Sequence, residues 1–552
     1  MAFDYRKYRP FAFAPQSPRD FQRTWPDKTL TRAPRWVSVD LRDGNQALID
    51  PMTIDQKLRF FKLLVDMGFK EIEIGFPSAS QIEFDFTRRL IEEKLIPDDV
   101  TVQVLVQSRQ HLIDRTFEAL QGVKQAVVHL YNPTSRVQRE KVYEKSRAEI
   151  IAIACFGAEL LKERAAQHPG SRWIFEYSPE SFSQTEPDFA VEVCEAVAAI
   201  WQPGPEQEVI FNLPNTVESA TANVYADQIE YFCQHFSQRD RVSISIHTHN
   251  DRGGAVAAAE LAVLAGADRV EGTLLGNGER TGNMDIMVMA MNLYAQGIDP
   301  GLDFSRMNQM VQIVSECNNL PVHPRHPYVG ELVFTAFSGS HQDAIKKSLE
   351  KPHNGVWDIA YLPIDPLDIG RSYQDVVRIN SQSGKGGVAY ILARDHGLHV
   401  PRWLQIDFAQ LVQRESERTQ KELSSADILR LFQDSYMGES VYQLEEYDIK
   451  RQTKFDAFAA VLSRDGERFT VSGKGNGALS SFINGLETLL GRQITVLNYS
   501  EHALTKHTDA QAVAYVQLLV GEDVHTGIAY SHDTLTAVLR ATLVALTPAL
   551  AN

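Results

Sequence analysis

One rhythm constrains this chain more than anything else in it. Short runs rich in β-branched residues recur as RWVSVDL (35–41), KEIEIGF (70–76), TVQVLVQ (101–107), QAVVHLY (125–131), RWIFEYS (172–178), EVIFNLP (208–214), RVSISIH (241–247) and RVEGTLLG (269–276). Stretches with helical spacing of apolar residues lie between most of them, at 54–67, 80–93, 146–166, 188–201, 220–236 and 255–265. Strands that alternate with helices run parallel, because each helix returns the chain to the edge it started from. Eight such repeats by about residue 300 fit a (β/α)8 barrel in number and in length. An open, doubly wound sheet is the competitor. It requires a glycine-rich phosphate turn after the first strand, where this chain has DLRDGNQ.

A barrel carries its chemistry where strands end and loops begin. Those positions hold Arg42 and Asp43 after strand one, and His129 on strand four. Glu176 and Glu180 belong to strand five and its loop, and Asn212, Asn215 and Thr216 to the end of strand six. In RVSISIHTHNDRGG, Val242, Ile244 and Ile246 alternate with Ser243, Ser245, His247 and His249, so both imidazoles leave strand seven on one face. The loop GNGERTGN (276–283) follows strand eight. Each feature alone has a bland reading as a solvated face, a common Asp-Gly turn or a flexible connection. Their convergence at one end of an apolar set of strands favours a site.

One carboxylate, Asp43, and two imidazoles, His247 and His249, leave coordination positions open on a divalent ion. A 2-oxo acid can chelate there, and the ion then polarises its ketone. Arg42 is placed to stabilise oxygen charge in the transition state. A carbon–carbon bond-forming step also needs a base, for which His341, Glu176 and Glu180 are the candidates.

Beyond about Gln296 the rhythm stops. A helical stretch at 307–318 leads into the proline-broken PVHPRHPYVG, and then into a small-residue segment and a helix bearing His341. Residues 364–371 and a strand-like stretch at 375–379 follow. SQSGKGGVAYILARDHG sets a glycine cluster before a helix, which is either a phosphate site or an ordinary helix start. Residues 401–434 read as helices. From about Val441 the chain is duplicated: DAFAAVLSRDGERFTVSGKG parallels AVAYVQLLVGEDVHTGIAYS, each two strands around a charged turn. Each pair is preceded by a further strand and followed by a helix. Two βββα units could enclose a small-ligand site lined by Ala478, Leu479, Ser480 and Ala512, or serve as a dimerisation module.

The 55 Lys and Arg against 71 Asp and Glu leave a net charge of −16, which argues against nucleic acid as a partner. Cys155, Cys194, Cys233 and Cys317 are far apart and form no C-x-x-C, as in a reduced, cytoplasmic protein. The first twenty residues show no apolar signal core, and no apolar run is long enough to span a membrane.

VDLRDGNQALIDPM, YSPESFSQTE, NLPNTVE, HTHNDRG, GNGERTGN and SGSHQDAI together resemble the long-form 2-isopropylmalate synthases, within the metal-dependent (β/α)8 acyl-CoA condensing enzymes and lyases. The resemblance covers nearly the whole chain. It implies an acyltransferase that condenses acetyl-CoA with 3-methyl-2-oxobutanoate and hydrolyses the thioester, the committed step toward leucine. It implies a metal held by Asp43, His247, His249 and Asn283, with Mg2+ first, Mn2+ or Zn2+ as alternatives, and K+ as an activator. Carried over by motif, Arg42, His129, Ser178 and Thr216 bind the oxo acid, and Glu180, His341 and Tyr373 join Arg42 in catalysis. It further implies a homodimer in which the linking region reaches the partner's barrel. The C-terminal module would then be a leucine-binding feedback domain, with Leu479, Ser480 and Tyr499 at the effector. The division expected is an arm at 1–34, the barrel at 35–324, linking subdomains at 325–430 and the regulatory domain at 431–552. The alternatives are a homocitrate or citramalate synthase, a carbon–carbon lyase on the same barrel, and an amino-acid sensor on a dead barrel.

Overall fold

The computed structural model describes residues 21–351, 355–372, 385–419, 423–504 and 511–550. Eight parallel strands close into a barrel in sequence order: β1 Arg35–Ser38, β2 Glu71–Gly75, β3 Thr101–Gln107, β4 Gln125–Pro133, β5 Arg172–Glu180, β6 Val209–Asn215, β7 Ser243–Thr248 and β8 Arg269–Gly272. Closure is made by β1 on β8, in the register Arg35↔Arg269 through Ser38↔Gly272. The surrounding helices are α1 Ile54–Met67, α2 Gln81–Glu92, α3 Gln110–Ala119, α4 Arg147–Ala166, α5 Pro187–Trp201, α6 Ala222–His235, α7 Ala255–Leu264 and α8 Ile286–Tyr294. The glycine-poor turn after β1 therefore belongs to a barrel and not to a doubly wound sheet.

Local chemistry sets the helix ends. Thr53 and Gln56 form a capping box at α1, and Ser146 and Glu149 another at α4. Gly68 closes α1 at φ +102°, a conformation that costs a side chain and suits glycine. The apolar faces of the helices, such as Phe60, Phe61 and Leu64 of α1, are buried against the strands. Ahead of the barrel, Arg23 and the Trp25 indole bond to Asp227 of α6, and Thr24 bonds to Glu230.

Strand one is shorter than its sequence suggests. Pairing stops at Ser38 because the Val39 carbonyl collects the N–H groups of Arg42, Asp43 and Gly44, at 3.2, 2.9 and 3.2 Å. That wide turn over Asp40–Gly44 replaces the last residues of an extended RWVSVDL.

The barrel's interior is polar, where the usual filling is layers of branched aliphatics. Glu73, Gln103, Glu176, Ser245, Arg269 and Glu271 are fully buried, with His129 and Asn212 beside them. Arg269 donates to Glu71, Glu176, Ser245 and Glu271 at 2.7, 3.2, 2.9 and 2.8 Å, and to Gln103. One guanidinium thereby bridges a cluster of carboxyl groups and offsets part of the cost of burying them together.

The described chain divides into two compact units. The first runs to Val333 and adds Pro366–Arg371; the second holds the remainder. In the first, α9 (Met307–Asn318) packs on α1. The second begins with helices α10 (Gly339–Leu349), α11 (Lys385–His396), α12 (Arg402–Thr419) and α13 (Ser425–Tyr436). Two antiparallel three-stranded sheets follow. The first joins β9 (Gln443–Arg451), β10 (Asp456–Arg464) and β11 (Glu467–Gly475), and carries α14 (Ala478–Leu490). The second joins β12 (Ile494–Ala503), β13 (Ala512–Val520) and β14 (Asp523–Ser531), and carries α15 (Thr534–Leu550). The duplication read from the sequence is thus two βββα units, and Phe458, Leu462, Phe482, Val516, Leu518 and Leu539 share one core. Among the described residues no helix is long and apolar enough to cross a membrane. The strand-like stretch 375–379 and the glycine cluster up to Gly384 lie outside the described residues.

Candidate active site

A cavity of about 360 Å³ opens at the C-terminal ends of the barrel strands. Arg42, Asp43, His129, Ser178, Glu180, Asn212, Thr216, His247 and His249 line it. The wide turn after β1 delivers the first two. The carbonyl of Val39 gathers three N–H groups and curls the backbone, and the Arg42 and Asp43 side chains are only 10% and 4% exposed.

Asp43, His247 and His249 present ligand atoms that all lie within 4.8 Å of one another. Asp43 Oδ2 is 3.2 Å from His247 Nε2 and 3.6 Å from His249 Nε2. Burial would raise the Asp43 carboxyl, but Arg42 and the two imidazoles outweigh it and hold it well below the usual carboxylate range. Burial would lower His247, but its hydrogen bonds to Asp43 and Glu271 push it up to about 9. His249 goes the other way, to about 4, through burial and the neighbouring His247.

Asn283 arrives beside His249 through backbone pairing of the GNGERTGN loop with the end of β7. The N–H of Asn250 donates to Gly282 O at 2.9 Å, and that of Met284 to Thr248 O at 2.8 Å. The glycines are required by close approach. A Cβ at Gly282, which sits at φ +103°, would lie 2.0 Å from Gly276 O, and one at Gly278 would lie 2.1 Å from Asn283 Nδ2. Two buried atoms here, His249 Nδ1 and Asn283 Oδ1, have no hydrogen-bond partner.

Arg42 spends two of its three nitrogens on carboxylates: Nε on Glu73 Oε2 at 2.6 Å and Nη1 on Asp43 Oδ1 at 2.7 Å. Ser178 Oγ joins His129 Nε2 at 2.7 Å and Asn212 Nδ2 at 3.0 Å. Thr216 Oγ1 accepts the Ser181 N–H at 3.0 Å, and Asn215 is buried at the end of β6. Burial raises the Glu180 carboxyl, with Arg42 opposing.

Glu176 does not reach the mouth. It is fully buried within the barrel on Arg269, with Oε2 unpaired, and burial lifts its carboxyl well above the ordinary range. Its side chain points inward two residues below Ser178, because strand residues two apart share a face but not a depth. It therefore leaves the set of candidate bases. His341 lies on α10 in the second unit, exposed and stacked on Tyr361 at 4.0 Å between ring centroids. Tyr373 lies outside the described residues. Leu479 and Ser480 fall in the first turn of α14, where Ser480 Oγ bonds back to Gly477, and Tyr499 is on β12 and 60% exposed. Ala512 is buried in β13, and α14 starts at Ala478, two residues after Asn476.

Several residues here went unread in the sequence. Phe76, Leu105, Tyr131 and Pro214 form walls, while Gln46, Glu279 and Arg280 stand at the rim. Glu73, Gln103, Arg269 and Glu271 lie beneath. For Glu73 the signal was present: KEIEIGF alternates Glu71 and Glu73 with isoleucines, a charged face on a strand expected to be buried on both sides.

The comparisons agree along the whole chain. Residues 33–314 match the HMGL-like family, 331–393 the alpha-isopropylmalate synthase post-catalytic domain-like family, and 422–550 the LeuA allosteric (dimerisation) domain. A 2-isopropylmalate synthase of Alcanivorax borkumensis is 52% identical over 549 residues, covering 99% of this chain and 98% of that one. One of Rhodospirillum rubrum is 52% identical over 549 residues, covering 98% of each chain. One of Clostridium acetobutylicum is 50% identical over 536 residues, covering 95% of this chain and 96% of that one.

Proposed function

The chain belongs to the 2-isopropylmalate synthase family, and from that premise we propose how its residues divide the work. The reaction joins the acetyl carbon of acetyl-CoA to the keto carbon of 3-methyl-2-oxobutanoate and hydrolyses the thioester, releasing 2-isopropylmalate and CoA. The observation that carries the reading is the buried meeting of Asp43, His247 and His249, with two unpaired polar atoms beside it.

That set fits a divalent ion: a carboxylate held ionised, two imidazoles, and the orphaned His249 Nδ1 and Asn283 Oδ1 on residues paired through their backbones. When bound, the ion supplies Lewis acidity toward a chelating 2-oxo acid, and Mg2+ is the first choice with Mn2+ or Zn2+ as alternatives. K+ activation belongs to the same proposal.

The protein groups do the rest. Arg42, clamped by Glu73 and Asp43, holds a fixed positive charge where the ketone oxygen gains negative charge. Ser178, steadied by His129 and Asn212, and Thr216 orient the oxo acid. Phe76, Leu105 and Pro214 offer apolar wall to its isopropyl group. Glu180, whose carboxylate burial makes more basic than usual, is suited to take a proton from the acetyl methyl. His341 and Tyr373 are proposed to act from the linking region of a partner subunit, in a cytoplasmic homodimer. The 431–552 module is proposed to bind leucine at Leu479, Ser480 and Tyr499, leaving 35–324 to catalysis and 325–430 to linking.

The test is free-thiol release from acetyl-CoA with 3-methyl-2-oxobutanoate, 2-oxoglutarate and pyruvate, with and without leucine. The branched acid should give the highest kcat/KM. A hydrophobic wall separates it from pyruvate by only about 1–3 kcal/mol, so slow pyruvate turnover is compatible with the reading. Faster turnover of 2-oxoglutarate would assign the homocitrate reaction instead.

A further inference from the structure

One carboxylate beneath the site is hydrogen-bonded through both oxygens and does not line the cavity. Glu271 is fully buried on β8, in register with His247 of β7. Its Oε2 takes His247 Nδ1 at 2.9 Å and Asn212 Nδ2 at 3.1 Å. Its Oε1 takes Arg269 Nη1 at 2.8 Å and Gln103 Nε2 at 3.1 Å. Four donors from four strands thus fix both oxygens.

Each of those donors leads elsewhere. Asn212 Nδ2 also reaches Ser178 Oγ, whose other partner is His129 on the cavity wall. Gln103 Nε2 also reaches Glu73 Oε1 at 3.1 Å, and Glu73 Oε2 holds Arg42. The histidine beside Asp43, the serine on the oxo-acid wall and the active-site arginine therefore hang on one carboxylate.

The geometry points to Glu271 as the positioning residue that presets His247 for metal and ties the metal side of the cavity to the substrate side. Both nitrogens of His247 face carboxylates, Nδ1 at 2.9 Å from Glu271 and Nε2 at 3.2 Å from Asp43. A neutral imidazole carries one proton, and with Nδ1–H given to the closer Glu271 it is Nε2 that is free to serve as a ligand beside Asp43. Such partners of metal-binding histidines typically matter by about 10–100-fold in affinity. Asn212 carries the same restraint to Ser178, so a disturbed Glu271 loosens oxo-acid binding as well. The inference rests on the reading of Asp43, His247 and His249 as a metal site.

Glu271→Gln keeps the shape and removes the charge. Titration of the full-length protein with Mn2+ by calorimetry should show affinity reduced about 10–100-fold. KM for the oxo acid should rise, and saturating Mn2+ should restore much of kcat. A purely structural role would instead lower the melting temperature with Mn2+ affinity unchanged. Folded Glu271→Gln binding Mn2+ as tightly as the wild type overturns the inference while leaving the metal site intact. Wild type that binds no Mn2+ overturns both. Should Glu271→Gln not fold, the imidazole 15N spectrum of wild type loaded with Mg2+ decides, with His247 assigned by its loss in His247→Asn. An Nδ1–H tautomer supports the inference and an Nε2–H tautomer overturns it.

Discussion

At the scale of single residues, Arg42 and Asp43 are the sharpest test. Arg42 meets Glu73 and Asp43 through a planar fork that lysine cannot reproduce. Arg42→Lys should lower kcat by about 10²–10³-fold, the usual loss for one charge-stabilising donor. A change confined to KM in steady-state kinetics would make it a binding residue only. Asp43→Asn or His247→Ala should abolish most activity while circular dichroism stays that of a folded barrel. Exhaustive chelation should inhibit the wild type, and added Mg2+ or Mn2+ should restore it. These residues were legible in the sequence because strand alternation and the D-G turn placed them at strand ends. Glu271 and Arg269 were not, because RVEGTLLG reads as an ordinary buried strand and nothing local says that two charges face a closed interior.

At the scale of elements, an ion pair helps to join the loop after β4 to the start of α5. Arg139 donates to Glu186 at 2.9 and 2.8 Å, two parallel bonds onto the residue that precedes α5. Burial would raise the Glu186 carboxyl, but the Arg139 bonds, with its own backbone N–H and Arg147, outweigh it and hold it at about 2. A depressed carboxyl stabilises the fold above its unfolded pKa of about 4.3, and that contribution fades as pH falls toward 2. The full shift would be worth about 3 kcal/mol, and the partial exposure of Glu186 reduces this to about 1–2 kcal/mol. Glu186→Gln should therefore cost that much in urea unfolding at pH 7, with the gap to wild type closing by about pH 2–3. Helix ends were well read at this scale: residues 54–67 and 307–318 match α1 and α9, because apolar spacing marks both and a capping box starts the first. Strand one was overrun, since a carbonyl gathering three N–H groups is a property of backbone path and leaves no mark in RWVSVDL.

For the whole molecule, the division of labour between the two units is what experiment must join. Mixing inactive His341→Ala and Asp43→Asn subunits should restore part of the activity in heterodimers if the histidine serves the partner's barrel. In such a dimer one site draws every group from intact copies. A site built within one chain would gain nothing from mixing. Ser480→Phe and Tyr499→Ala should weaken leucine inhibition, through a coupling of about 1–3 kcal/mol between the two sites, and leave uninhibited turnover nearly unchanged. Leucine calorimetry on both forms checks this, and full inhibition in the variants would place the effector elsewhere. The fold at this scale was legible as repetition, eight βα turns and then two βββα turns, whereas repetition is silent on which copies meet. The polar floor of the barrel has a consequence for temperature. Glu73, Gln103, Glu176, Arg269 and Glu271 occupy volume that branched aliphatics fill in other barrels. Unfolding hydrates polar as well as apolar surface, and polar hydration lowers the heat-capacity increment. The first unit should accordingly show a flatter stability curve than an aliphatic-filled barrel of its length, losing less on cooling as well as on warming.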